Sequence, residues 1–121
     1  MIQANELRIG NWYVQYGSYY KVTPTTLRDL FYTTKPQGWC RPIPLTEDIL
    51  LKCGGERDEH NDVFVYLDKT HDLRLYLTNG FIQQCKSYYS PLSNYPHITH
   101  LHQLQNLYFA LTQQELTIDF N

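Results

Sequence analysis

The chain predicts an α+β fold: an antiparallel sheet packed on a C-terminal helix, with one further short helix. Three observations predict it. Val63 to Leu67, Leu73 to Thr78 and Phe81 to Lys86 alternate residue character at a period of two, as half-buried strands do. Asn79-Gly80 separates the last two runs and suits the two positive-φ positions of a type I′ turn. Leu101, Leu104, Leu107, Tyr108 and Leu111 recur at helical spacing and form one apolar stripe.

From the N-terminus, Asn11 to Tyr16 and Tyr19 to Val22 predict a hairpin around Gly17-Ser18. Trp12 and Val14 share one face of the first strand, Tyr20 and Val22 one face of the second. An odd-numbered loop or a bulge sets Val14 opposite Tyr20, and that register is expected, with Gly17 supplying a positive φ. Thr26 to Tyr32 fits either a short helix or a strand, inside a stretch punctuated by Pro24, Pro36, Gly38, Pro42 and Pro44. Thr46 reads as an N-cap, with Glu47 and Asp48 in the first helical turn and Gly54 as the C′ residue.

The meander is self-consistent. A loop from Asp68 to Asp72 puts Val63, Val65 and Leu67 on one face with Leu73, Leu75 and Leu77, and the Asn79-Gly80 turn sets Ile82 opposite Leu77. The other face carries Phe64, Tyr66, Arg74, Tyr76 and Phe81, with Tyr66 opposite Arg74 and Phe64 opposite Tyr76. A solvated face is normally more polar, so a second layer or a partner is expected to cover it. Ser87 to Pro96 reads as a loop, His97 to His100 as a brief strand and Thr117 to Phe120 as a final edge strand. In one variant the N-terminal hairpin joins the meander in a small, partly open barrel. The predicted core is Trp12, Val14, Tyr20, Val22, Ile49, Val63, Val65, Leu67, Leu73, Leu75, Leu77, Ile82, Leu104, Leu107, Tyr108 and Leu111.

Composition bounds the function. The 121 residues fit one domain, 1–121, and 42% apolar with 18% charged residues is a globular balance. Net charge is −2 and the ten Lys and Arg are scattered singly, so electrostatic capture of nucleic acid is not indicated. No apolar run is long enough to span a bilayer, and the first residues lack the charged and apolar regions of a signal peptide. Cys40, Cys53 and Cys85 are odd in number with no C-x-x-C spacing, which argues for reduced thiols in a cytoplasmic protein. Tyrosine is the outlier at 11 residues; its ring and hydroxyl suit sheet faces and recognition surfaces alike.

Candidate chemistry is sparse. His97, His100 and His102 could ligate a metal if they converged, but the spacing matches no known ligand pattern and no carboxylate or cysteine completes the set nearby. The acidic stretch from Glu56 to Asp62 lacks the ligand order of a calcium loop and reads as a solvated turn. His71-Asp72 has no nucleophile placed beside it, and phosphate-loop and dinucleotide motifs are missing. No cofactor is indicated. Tyr88, Tyr89 and Tyr95, interspersed with Ser, Asn and Pro, have a composition that suits adaptable recognition.

Three patches carry a resemblance: Asn5-Glu-Leu-Arg-Ile-Gly-Asn-Trp12, then Pro42-Ile-Pro-Leu-Thr-Glu47 leading into Ile49-Leu-Leu-Lys52, and finally His102-Gln-Leu-Gln-Asn-Leu-Tyr-Phe-Ala-Leu-Thr112. In these the chain resembles a group of small uncharacterised proteins encoded in gut-bacterial genomes, prophages and mobile elements. The group carries Gly after the final Thr, where this chain has Gln113. The resemblance implies an accessory protein inside a bacterial cell and implies no activity. The leading expectation is a non-enzymatic module that binds a protein partner, or itself, through Phe64, Tyr66, Arg74, Tyr76, Phe81, Tyr88, Tyr89 and Tyr95. The alternatives are a weak single-stranded nucleic-acid binder using exposed aromatics, and a metal-dependent enzyme using His97, His100 and His102.

Overall fold

A computed structural model describes residues 6–32, 39–69, 73–78, 81–85, 91–94 and 98–120. The fold is α+β. A two-stranded sheet comprises β1 (Trp12–Gln15) and β2 (Ser18–Lys21), and helix α1 (Pro24–Tyr32) follows it. Helix α2 (Glu47–Lys52) leads into a five-stranded antiparallel sheet of β3 (Glu56–Arg57), β4 (Val63–Asp68), β5 (Leu73–Thr78), β6 (Phe81–Cys85) and β7 (Pro91–Asn94), in sequential order. Helix α3 (Leu101–Thr112) closes the chain's regular structure. The two sheets stay separate among the described residues, so the hairpin does not close a barrel with the meander.

Local chemistry explains the helix ends. Thr23 and Thr26 form a reciprocal box at the start of α1, each hydroxyl accepting the other's backbone N–H, and Pro24 takes the first helical position where no donor is needed. Thr46 caps α2 as its sequence implies, its hydroxyl accepting from the Ile49 amide at 3.2 Å. At the other end, Gly54 lies at φ +83° and Gly55 N–H reaches back to the Leu50 carbonyl at 2.9 Å. A Cβ on Gly55 would sit 2.5 Å from that same oxygen, so this position admits no side chain. Gln113 ends α3 in the left-handed region at φ 60°, its N–H on the Phe109 carbonyl.

The meander has the expected register: Val63 faces Leu77, Phe64 faces Tyr76, Val65 faces Leu75 and Tyr66 faces Arg74. A one-residue shift between Tyr66 and Asp68 then sets Asp68, not Leu67, opposite Leu73. Leu77 pairs with Ile82 as predicted; the Asn79-Gly80 turn lies outside the described residues. The aliphatic face packs Val63, Val65, Leu67 and Leu75 against Leu101 and Leu104 of α3 and Ile49 and Leu50 of α2, with Leu77, Leu107 and Tyr108 packed around them. This dry layer is the main core, and burial of its apolar area is the chief stabilising term.

Several expectations are corrected. The hairpin loop is the even two-residue Tyr16-Gly17 turn, so Val14 faces Tyr19, not Tyr20, and Tyr13 faces Tyr20. Both faces of β1 are packed, so alternation does not fix the register. Trp12 and Val14 lean on the main core, while Tyr13 and Val22 join Leu7, Leu30, Trp39 and Cys40 in a second cluster. Tyr20 is therefore half in water rather than in the core. Leu111 is also exposed: α3 is buried at Leu101 and Leu104, half-buried at Leu107 and Tyr108, and has run past its cover by its last turn. Residues 24–32 resolve the open choice as a helix. Pro91–Asn94, expected in a loop, forms an edge strand on β6, with its proline at the first position where a missing donor is tolerated. Residues 117–120 form no strand; their backbone is tied to α2 by the Asp119 N–H on the Lys52 carbonyl at 2.8 Å. His100 makes only an isolated bridge with Pro44 rather than ending a strand. The side chains of Leu73, Phe81 and Ile82 lie outside the described residues.

Candidate functional site

The aromatic sheet face proposed for contact is a closed stack. Phe64 and Tyr76 are 5% and 6% exposed, their rings 5.1 Å apart, and Tyr66 meets Phe64 edge-on at 5.3 Å. The Arg74 guanidinium lies 4.6 Å from the Phe64 ring and 5.2 Å from that of Tyr66, and it donates to the Tyr76 hydroxyl at 3.0 Å. Arg74 is itself buried. The cross-strand pairs are those read from alternation, but Phe64, Arg74 and Tyr76 form a second layer of the fold and only Tyr66 keeps a partly open edge. Tyr88, Tyr89, Tyr95 and His97 lie outside the described residues.

His100 and His102 stack at 6.2 Å with their rings inclined by 30°. His100 Nδ1 shares a hydrogen bond with the Thr99 hydroxyl at 2.8 Å. His102 is buried, with Nε2 3.4 Å from the Glu6 carboxylate and Nδ1 without a hydrogen-bond partner. Burial pulls its pKa below the usual imidazole value, and the Glu6 carboxylate opposes that only in part. Among the described residues, no three His, Cys, Asp or Glu side chains are grouped to hold a metal ion. The acidic turn after β3 is used locally: Asp58 Oδ1 accepts the backbone N–H groups of His60 and Asp62, both at 2.9 Å. Cys40 and Cys53 are buried thiols pushed up to about 11 and about 12 by desolvation, which makes them poor nucleophiles.

The richest polar cluster among the described residues carries no sequence motif. Helix α3 carries a second stripe beside its leucines: His102, Gln105, Asn106 and Phe109, at i, i+3, i+4 and i+7. The segment from Glu6 to Trp12 docks on it. Gln105 accepts the Trp12 N–H at 2.8 Å and donates to the Gly10 carbonyl at 3.2 Å. Asn106 donates to the Glu6 carbonyl at 2.9 Å, and its side-chain oxygen accepts from both Arg8 Nε and Asn11 Nδ2 at 3.0 Å. Arg8 continues to Glu115 and lies 4.4 Å over the Phe109 ring. Asn11 and Gln105 are fully buried, and each polar atom finds a partner. The segment of Pro42–Glu47 joins the same helix start, through Leu101 N–H on the Ile43 carbonyl at 2.8 Å and Leu45 N–H on the Thr99 carbonyl at 3.0 Å. All three patches that carry the resemblance thus converge on α3.

Beside this clasp lies a cleft of about 370 Å³ lined by Trp12, Lys21, Gln105 and residues 115–118. Gln105 in its wall has both its polar atoms engaged within the fold.

A different aromatic set is exposed among the described residues. Tyr16 is 82% exposed, Phe31 76% and Tyr32 72%, and Tyr19 and Tyr20 of β2 are more than two-fifths exposed. Tyr16 occupies the hairpin tip at φ 52°, a backbone region that bulky side chains seldom adopt. Helix α1 packs its Leu27, Thr26 and Leu30 towards Tyr13 on the hairpin, so hairpin and helix form one unit bearing these rings. The sequence signal for this set was the tyrosine excess alone. Among the described residues, no helix is long and apolar enough to cross a membrane. No protein-family model matches the chain, and neither does any curated protein or solved structure.

Proposed function

We propose that the protein is a non-enzymatic interaction module, a cytoplasmic accessory protein of phage or mobile-element origin. In this reading it meets a protein partner through the unit of hairpin and α1. The observation that carries the reading is Tyr16: a large ring held in the left-handed region and left almost wholly in water. Such a conformation costs a bulky residue on the order of 1–2 kcal/mol, and Asn or Gly would occupy the same turn position at lower cost. An exposed ring returns none of that cost to folding. Phe31 and Tyr32 likewise contribute little to the core while offering the residue types that dominate binding hot spots. Strained positions of this kind concentrate where a surface is used. The buried Phe64, Arg74 and Tyr76 stack is assigned to stability instead. Origin and compartment rest on the resemblance of the three patches.

The test is site-directed photocrosslinking in the cell of origin, with a benzophenone amino acid replacing Tyr16 or Phe31, and Glu59 on the far acidic turn as control. Protein adducts from positions 16 and 31 that outnumber those from 59 are expected. Equal yields at all three sites would overturn the reading.

A further inference from the structure

The two edges of the hairpin differ. The outer edge of β1 is occupied: Val14 exchanges both backbone bonds with Arg41, at 2.9 and 3.0 Å, and the Trp12 N–H is taken by Gln105. On β2, Val22 turns both its backbone groups inward, donating to the Asn11 carbonyl at 2.7 Å and accepting from Gly10 N–H at 3.0 Å. Backbone groups alternate direction along a strand, so Tyr20 and Ser18 point inward with Val22, while the N–H and C=O of Tyr19 and Lys21 point away from β1. Every residue of β2 is exposed. An edge of this kind is a template for another strand.

We propose that the occupant is the β2 strand of a second copy of this chain, antiparallel, about a twofold axis through Tyr20. This rests on the hairpin being a contact surface and names the partner. The sequence Ser-Tyr-Tyr-Lys is complementary to itself in one register. With Tyr20 opposite Tyr20, Tyr19 of each copy faces Lys21 of the other, and the outward N–H and C=O of both residues are all paired. The same register sets the two Tyr20 rings side by side on one face and a lysine beside a tyrosine ring twice on the other. Neighbouring registers fail. A slide of one residue sets outward groups against inward ones. A slide of two towards Lys21 places like charges directly opposite; a slide of two the other way sets Lys21 against Gly17, where the chain has already turned. Closure by a twofold axis ends the assembly at a dimer, because the isologous contact uses the β2 edge of both copies and leaves neither open to a third.

The contact is small against the standard interface of about 1,600 Å², so the dissociation constant is on the order of 0.1–1 mM. Sedimentation velocity of the full chain from micromolar to millimolar concentration is expected to show a monomer–dimer equilibrium. Lys21→Pro removes an outward donor that β1 does not use, and Tyr20→Lys places like charges on the axis. Each should weaken association roughly tenfold or more while circular dichroism shows the monomer still folded; the melting temperature is expected to fall slightly, since the Tyr20 ring lies 5.9 Å from the Tyr13 ring and the Lys21 ammonium 5.5 Å from that of Trp12. A strict monomer throughout, or a dimer indifferent to both substitutions, overturns the proposal. Neither result touches the crosslinking test at Tyr16 and Phe31, which decides separately whether the hairpin and α1 meet some other protein.

Discussion

The sheet–helix layer and the terminal clasp both use α3, but they hold it in opposite ways. On one side Leu101 and Leu104 sink into Val63, Val65, Leu67 and Leu75 without a directional bond. On the adjoining side Gln105 and Asn106 bind residues 93 to 100 positions earlier through amide hydrogen bonds. The apolar side supplies free energy and tolerates rearrangement of similar volume; the polar side adds little net energy but admits one alignment, because any slip leaves buried donors and acceptors unpaired. One face makes the helix stick and the other decides where.

Substitutions on the two faces sharpen that contrast. Leu104→Ala opens a cavity in the dry layer and is expected to lower unfolding free energy by about 2–5 kcal/mol, read by urea titration. Gln105→Leu keeps the size and adds apolar surface, yet strands the Trp12 amide and the Gly10 carbonyl. A loss of roughly 2–3 kcal/mol is expected, and a neutral result would show that the clasp is not what fixes the segment.

The pH dependence belongs to the clasp as well. His102, facing the Glu6 carboxylate and the His100 ring, has its folded pKa below the value near 6.5 of an unfolded imidazole. The unfolded chain therefore binds the proton more readily. The stability contributed by neutral His102 is whole above about pH 6.5 and is lost as pH falls through the folded pKa. Melting curves from pH 7.5 down to 5 should decline, and His102→Gln should flatten the part of the decline that begins below 6.5.

The smallest effects run the other way. Gln113→Gly relieves a left-handed cap and should stabilise by about 0.5–1 kcal/mol. Tyr16→Asn should stabilise by about 0.5 kcal/mol and, if the hairpin is a contact surface, reduce crosslinking from position 31. A gain in melting temperature bought at the expense of binding would mark Tyr16 as kept for contact.

How far the sequence could be read follows the same division. The pairs Phe64–Tyr76 and Tyr66–Arg74 and the Thr46 and Gly54 caps were legible, because alternation and capping are local rules. Hairpin register was not. Trp12 and Val14 lean on one layer and Tyr13 and Val22 on another, so both faces are apolar and a period of two selects neither. Alternation shows that the aromatic sheet face needs cover, but composition does not distinguish a second layer from a partner. The clasp left no periodic trace: Asn11, Gln105 and Asn106 look like ordinary polar residues until the fold joins them. The exposed rings of Tyr16, Phe31 and Tyr32 were hidden among a dozen similar residues whose burial only packing decides.

The long reach of Gln105 has a consequence for how the molecule is made. A ribosome delivers Trp12 long before the amide that receives its N–H, so that donor must wait through most of translation for its acceptor, although Arg41 can close the Val14 end of the same strand much earlier. The strands from 63 to 85, whose neighbours are close in sequence, have no such delay and should acquire structure first. Arrest-peptide force profiles ought to register the meander early and the hairpin only after residue 106 has left the tunnel.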